Sequence, residues 1–148
     1  MGQAITVRCP ACGTLNRVPQ DKAGMKAMCG QCREYLPALV WPDAAVEVTD
    51  ASFDARVRRS GYPVLVEFWS PTCGHCVRMA PVLDELAREL RGRAVVAKLD
   101  VSSNPATAAS YEVRGTPTFV LVKGGKEAAR LAGAMARDEL LRRVLPFI

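Results

Sequence analysis

Six cysteines fall into three pairs, each with two residues between the sulfurs: Cys9-Pro10-Ala11-Cys12, Cys29-Gly30-Gln31-Cys32 and Cys73-Gly74-His75-Cys76. Their spacing is shared but their settings differ. Cys73 follows the apolar run Val64-Leu65-Val66-Glu67-Phe68-Trp69 and precedes a stretch of helical periodicity. A strand that delivers a sulfur to a helix N-terminus makes a redox dithiol, because the unpaired amides and dipole of the helix favour a thiolate there. Cys73 is therefore expected to attack disulfides, and Cys76, one turn further in, to resolve the mixed disulfide. The competing readings are two core cysteines and a second metal site, and the latter lacks a nearby ligand pair to complete it. The predicted chemistry is thiol–disulfide exchange.

Three neighbours have the right chemistry to support the pair. His75 is the only histidine; an imidazolium between two redox cysteines favours thiolate over disulfide, which makes the dithiol a better oxidant. Glu67 and Lys98 are each the lone charge in an apolar run, Val64–Phe68 and Val95–Leu99. If those runs are neighbouring strands, the two charges meet beneath Cys76, and a buried carboxyl of raised pKa can move the Cys76 proton, through water. The alternative is a pair of solvated strand-end charges. Gly115-Thr116-Pro117-Thr118 precedes another strand, where a turn proline such as Pro117 is a candidate cis site.

Cys9, Cys12, Cys29 and Cys32 form two pairs sixteen residues apart. Two tight turns facing each other close a tetrahedral thiolate site, which suits zinc at about 2.3 Å per bond ahead of disulfides or an iron–sulfur cluster. Four protein ligands leave no open position, so one structural Zn²⁺ is expected; a clasp that releases metal when its thiolates oxidise is the sharper alternative. Gly13 and Gly30 are expected to supply the permissive backbone of the two turns. Nucleic-acid binding is not expected: four thiolates and one Zn²⁺ cancel the +2 of residues 1–45, and Tyr35 and Trp41, the stacking candidates, lie beyond the turns.

The rest of the chain must position these groups. At 148 residues it fits one ordinary domain and a small attachment. The net charge of +5 is spread without a run of one sign, which favours solubility over a polyanionic partner. No apolar leader precedes Cys9 and no run approaches a membrane span, so a cytoplasmic protein without membrane attachment is expected, with cysteines acting as ligands and catalysts. Residues 1–36 are poor in large apolar side chains and need a metal staple. Residues 37–45, stiffened by Pro37 and Pro42, read as a linker in which Leu39, Val40 and Trp41 can dock on a neighbour. From Val46 onward, strand and helix alternate. Strands are expected at 46–48, 64–69, 94–101, 119–123 and 126–131. Helices are expected at 51–60 (capped by Thr49 or Asp50), 74–91 (bent at Pro81), 104–111 and 137–145. Paired glycines at 124 and 125 suit a hairpin turn. This order implies an α/β fold, a mixed sheet with helices on both faces.

Taken together, Val66-Glu67-Phe68-Trp69, Cys73-Gly74-His75-Cys76, Ala80-Pro81, Lys98-Leu99-Asp100, Val113-Arg114-Gly115-Thr116-Pro117-Thr118, Lys123-Gly124-Gly125 and Gly133-Ala134 resemble the thioredoxin family over about residues 46–148. The four-cysteine segment with Cys12-Gly13-Thr14-Leu15-Asn16-Arg17-Val18-Pro19 resembles the zinc-ribbon-bearing bacterial members, the thioredoxin 2 type. The resemblance implies a thioredoxin fold over 46–148 behind a ribbon at 1–36. It implies a monomeric protein-disulfide reductase, recharged by NADPH-dependent thioredoxin reductase. In that frame Cys73 attacks, Cys76 resolves, Glu67 is the buried acid and Lys98 its partner. Pro117 is cis against the dithiol, and Trp69, Gly74, His75, Thr116 and Pro117 form the surface that meets substrate. The chain departs from the family pattern in three places. His75 stands where proline is usual, Glu67 where aspartate is usual, and Thr72 where a tryptophan usually flanks the first cysteine. The first two are shared with protein disulfide isomerase domains. They leave a more oxidising oxidant or isomerase as the alternative within the same chemistry, and a zinc-based redox sensor or holdase as the alternative outside it. Ala136 also departs, standing where a capping serine or threonine is usual.

Overall fold

A strand buried on both faces needs apolar residues at nearly every position, and Val64–Trp69 is such a strand, with Glu67 its one exception. It lies at the centre of the fold. The structure is a computed structural model that describes residues 4–19, 27–36 and 44–148. The chain divides into two compact units, Met1–Trp41 and Pro42–Ile148. Of the predicted linker, residues 37–43, with Leu39, Val40 and Trp41, lie outside the described residues.

In the larger unit the elements follow as β3 (Val46–Glu47), a helical turn (Asp54–Arg58), β4 (Val64–Trp69), α1 (Gly74–Glu89), β5 (Val95–Asp100), α2 (Pro105–Ser110), β6 (Thr118–Lys123), β7 (Lys126–Ala132) and α3 (Arg137–Val144). The five strands form one mixed sheet in the order β3-β5-β4-β6-β7, with β3, β5 and β4 parallel and β6 and β7 antiparallel to their neighbours. Strand pleating then sorts the side chains. Leu65, Val96, Phe119 and Leu121 pack with Leu83 and Leu86 of α1, Leu90 at its C-terminal end, and Leu140 and Val144 of α3. Val64, Val66, Phe68, Ala97, Leu99, Val120 and Val122 pack on the other face with Phe53 and Val57. Glu67 and Lys98 share the parity of the α1 face, and register pairs them side by side across β4 and β5. That parity places the acid beneath the dithiol helix.

Two local expectations change. Thr49 Oγ1 accepts the Ser52 amide at 3.3 Å just ahead of the helical turn, which opens at Phe53 without a side-chain cap and widens, with Arg59 N–H donating to Asp54 O at 2.9 Å. Asp50 instead caps α2 across the fold: its carboxylate accepts the amides of Ala106 and Thr107 at 3.2 and 2.9 Å and the Thr107 hydroxyl at 2.6 Å. Asn104, at the position before α2, makes no side-chain cap of its own helix, and its side-chain Oδ1 accepts the Asp50 amide at 2.9 Å. The hairpin forms as expected, with φ of +62° and +80° at Gly124 and Gly125, and Ala136 offers α3 no side-chain cap. α1 runs through Pro81. No helix among the described residues is long and apolar enough to cross a membrane.

The smaller unit pairs β1 (Ala4–Arg8) with β2 (Leu15–Pro19) antiparallel. Each cysteine pair sits in a tight turn closed by the same two backbone bonds. Cys9 N–H donates to Thr14 O and Gly13 N–H to Cys9 O; Cys29 N–H donates to Glu34 O and Arg33 N–H to Cys29 O. Gly13 (φ +78°) therefore corresponds to Arg33 (φ +66°), not to Gly30. The second turn carries a side chain in left-handed backbone, and the permissive role expected of Gly30 falls on a residue poorly suited to it.

Candidate functional site

Strand β4 ends at Trp69, a four-residue turn follows, and α1 opens at Gly74 with Cys73 as its cap. The Cys73 sulfur accepts the Cys76 amide at 3.2 Å, so a helix N–H is aimed at the atom on which negative charge develops. Cys73 and Cys76 are joined in a disulfide, with Cα atoms 5.3 Å apart. Cys73 is half-buried, whereas Cys76 is 2 % exposed; only the first sulfur can meet an incoming protein.

Thr116 O lies 3.6 Å from the Cys73 sulfur. The Thr116–Pro117 peptide is cis, and the loop is anchored by Thr118 Oγ1 donating to Gly115 O at 2.6 Å and Gly133 N–H donating to Pro117 O at 2.9 Å. A groove of about 450 Å³ lies between the Thr72–His75 turn and the Val113–Thr116 loop, with exposed His75 on its wall.

Beneath the dithiol, Glu67 is 2 % exposed. Burial pushes its carboxyl up to about 7 against the opposing pull of the Lys98 charge. The Lys98 ammonium sits 5.6 Å from the centre of the Trp69 ring. A cavity of about 150 Å³ connects Glu67, Lys98, Trp69 and Cys76, room for several waters at about 30 Å³ each. Ala45 also lines that cavity, its amide donating to Asp84 Oδ1 of α1 at 3.1 Å. Sequence reasoning gave Ala45 no role, because nothing local marks it as a cavity wall. A carboxyl that titrates near neutrality in a cavity shared with a buried sulfur can exchange a proton with it through a water held there.

The Cys9, Cys12, Cys29 and Cys32 sulfurs all lie within 4.8 Å of one another. Cys9 and Cys32 are 3.6 Å apart and Cys12 and Cys29 3.7 Å, against tetrahedron edges of about 3.8 Å implied by Zn–S bonds of about 2.3 Å. The donor set fits a tetrahedral thiolate metal. Crowding also pulls the Cys29 and Cys32 titrations apart. Cys29 is drawn down to about 6, chiefly by the Cys32 and Gln31 amides. Cys32 is pushed up to about 12: the Glu34 amide lowers it, but burial and the crowded Cys12, Cys9 and Cys29 sulfurs prevail. Asn16, which sequence reasoning placed only within a motif, ties the two turns together. Its amide nitrogen donates to Thr14 O at 3.1 Å and lies 3.5 Å from the Cys29 sulfur, while its oxygen accepts the Gly30 amide at 2.9 Å.

Comparison with known proteins finds a family match within each of the two units. The family model described as thioredoxin matches residues 44–145, and the one described as thioredoxin 2, N-terminal, matches residues 8–34. The chain is 36% identical over 132 residues to thioredoxin C-3 of Corynebacterium nephridii, covering 89% of this chain and 88% of that one. It is 39% identical over 98 residues to thioredoxin 2 of Chlorobaculum tepidum, covering 66% and 90%. It is also 50% identical over 97 residues to the bifunctional thioredoxin reductase/thioredoxin of Mycobacterium leprae, covering 66% of this chain but only 21% of that longer protein.

Proposed function

The chain belongs to the thioredoxin family and is a thiol–disulfide oxidoreductase, and from that premise we propose that it reduces protein disulfides in the cytoplasm as a monomer, through Cys73 and Cys76. The Cys73 thiolate attacks one sulfur of a substrate disulfide, forming a Cys73–substrate bond and expelling a substrate thiolate, which takes up a proton. Glu67, through water in its cavity, accepts the Cys76 proton. The Cys76 thiolate then attacks the Cys73 sulfur, releasing the second substrate thiol and leaving the Cys73–Cys76 disulfide. Two electrons and two protons pass to substrate. Lys98 steadies the Glu67 carboxylate by its charge. Trp69, Gly74, His75, Thr116 and Pro117 receive the substrate chain, with the Thr116 backbone pairing to it in strand fashion.

The observation that carries this reading is the asymmetry of the pair: a half-buried sulfur accepting a helix amide, and a buried sulfur that shares a cavity with a buried carboxyl of raised pKa. Thioredoxin reductase with NADPH is the proposed electron donor; the Mycobacterium leprae relative carries both activities in one name. Zn²⁺, one per chain, is the proposed metal of Cys9, Cys12, Cys29 and Cys32, where it holds the two turns together.

The test is insulin disulfide reduction driven by NADPH and thioredoxin reductase. The wild-type chain is expected to turn over, and Cys73→Ser to lose activity by at least about 10³-fold, the scale at which an essential nucleophile is felt. Cys76→Ser is expected to trap a mixed disulfide on Cys73. Turnover that survives Cys73→Ser would overthrow the assignment.

A further inference from the structure

Resting on the reductase reading, we propose that the groove beside Cys73 selects protein disulfides that carry an aspartate or glutamate within two residues of the attacked cysteine, with Arg114 as the specificity-determining residue. Arg114 is the charged side chain lining this groove, with the His75 imidazole opposite it; no carboxylate lines it. Arg114 is exposed, and no ion pair among the described residues holds it. The other cations nearby are occupied. Arg130 is held by the Glu127 carboxylate and the Tyr111 carbonyl, each at 2.6 Å, and Arg78 Nε donates to Gly74 O at 3.3 Å. Of the acids outside the groove, Asp100 is turned inward onto Ser102 and Ser103, accepting the Ser102 hydroxyl at 2.6 Å, and Glu112 lines the separate groove beyond Pro117. One positive charge is therefore left facing the space where substrate must lie.

Shape and spacing agree with charge. Thr72 is short and tied to the Ser70 hydroxyl at 2.9 Å, which leaves the groove open to a side chain. Arg114 stands two residues from Thr116, whose carbonyl marks the Cys73 sulfur. A substrate strand paired there advances about 3.3 Å per residue, so a side chain two positions from its cysteine passes the guanidinium. Arg114 also borders a second groove, of about 320 Å³, beyond Pro117, but the Glu112 carboxylate lines that one with it, so the selection belongs to the groove beside Cys73. Exposed charges act mainly on encounter and KM and are screened by salt.

Three peptide disulfides identical except for Glu, Gln or Lys two residues from the cysteine test this with the full-length zinc-loaded protein. Reduction is expected in the order Glu, Gln, Lys. The Glu-to-Lys ratio of kcat/KM should be about tenfold at low salt, from one attraction and one repulsion of exposed charges, and near unity in 1 M salt. Arg114→Glu should reverse the order and Arg114→Gln should flatten it. Equal wild-type rates, or an order unchanged in Arg114→Glu, would overturn this inference and leave the reductase reading standing. Failure to reduce any of the three would remove that reading, and this one with it.

Discussion

Glu67 is the residue at which stability and chemistry pull in opposite directions. Its folded value of about 7 lies above that of an ordinary glutamate because burial disfavours the charged form, with Lys98 offsetting part of the effect. The native chain therefore holds this proton more tightly than the unfolded chain does. Its contribution is fully present below about pH 4.5 and is lost as pH rises through about 7, a loss of roughly 3 kcal/mol. Glu67→Gln is expected to match the wild type in stability at pH 4 and to exceed it at pH 8 by an amount on that scale, while release of the mixed disulfide by Cys76 slows. Urea unfolding at the two pH values checks the first effect, and single-turnover release of a trapped substrate the second. Equal gains at both pH values would mean that the carboxyl is not the source. The sulfurs and Glu67 were legible in the sequence because each is chemically conspicuous where it stands, paired at a fixed spacing or charged within an apolar run. Asn16 and Arg33 were not, since their roles arise only when two turns distant in sequence fold to the same geometry.

At the scale of elements, alternation and length announced the central strands, the amphipathic helices and the glycine hairpin, because burial on one or both faces writes its period into the side chains. What periodicity cannot encode is a cap borrowed from elsewhere. Asp50 reads locally as a helix start, yet its carboxylate closes α2, fifty-seven positions from Thr107, while Asn104 answers with a bond to the Asp50 amide. This reciprocal clamp fixes the loops that follow β3 and β5. The Thr107 hydroxyl, then its amide, holds the Asp50 carboxyl below the usual carboxylate range. A depressed value means that the contribution is present above the unfolded pKa and lost as pH falls through the folded one. Asp50→Ala is expected to lower the urea midpoint at pH 7 with the slope unchanged, and the difference from wild type should shrink once the pH drops below the folded value. An Asp50→Ala chain as stable as wild type at pH 7 would assign the cap no weight.

At the scale of the whole molecule, the two units differ in what holds them. The larger has two apolar clusters, one on each face of a five-stranded sheet. Among the described residues of the smaller, Val7, Val18 and Leu36 are the buried aliphatic side chains, beside the buried Cys9 and Cys29. The apolar burial among these described residues is small against the entropy of ordering them, and the proposed metal would supply the difference. Chelation is therefore expected to unfold the smaller unit alone. Amide exchange should lose protection at Val7, Val18 and the two cysteine turns, while the sheet residues Val66, Ala97 and Val120 keep theirs. Insulin reduction should continue, because every group assigned to the exchange reaction lies at or beyond Glu67 in sequence. A single cooperative loss of both units on chelation, with reduction abolished, would show that the metal supports the dithiol unit as well. Separate losses would confine it to the ribbon, leaving the metal as a staple for a segment too poor in apolar side chains to fold by burial.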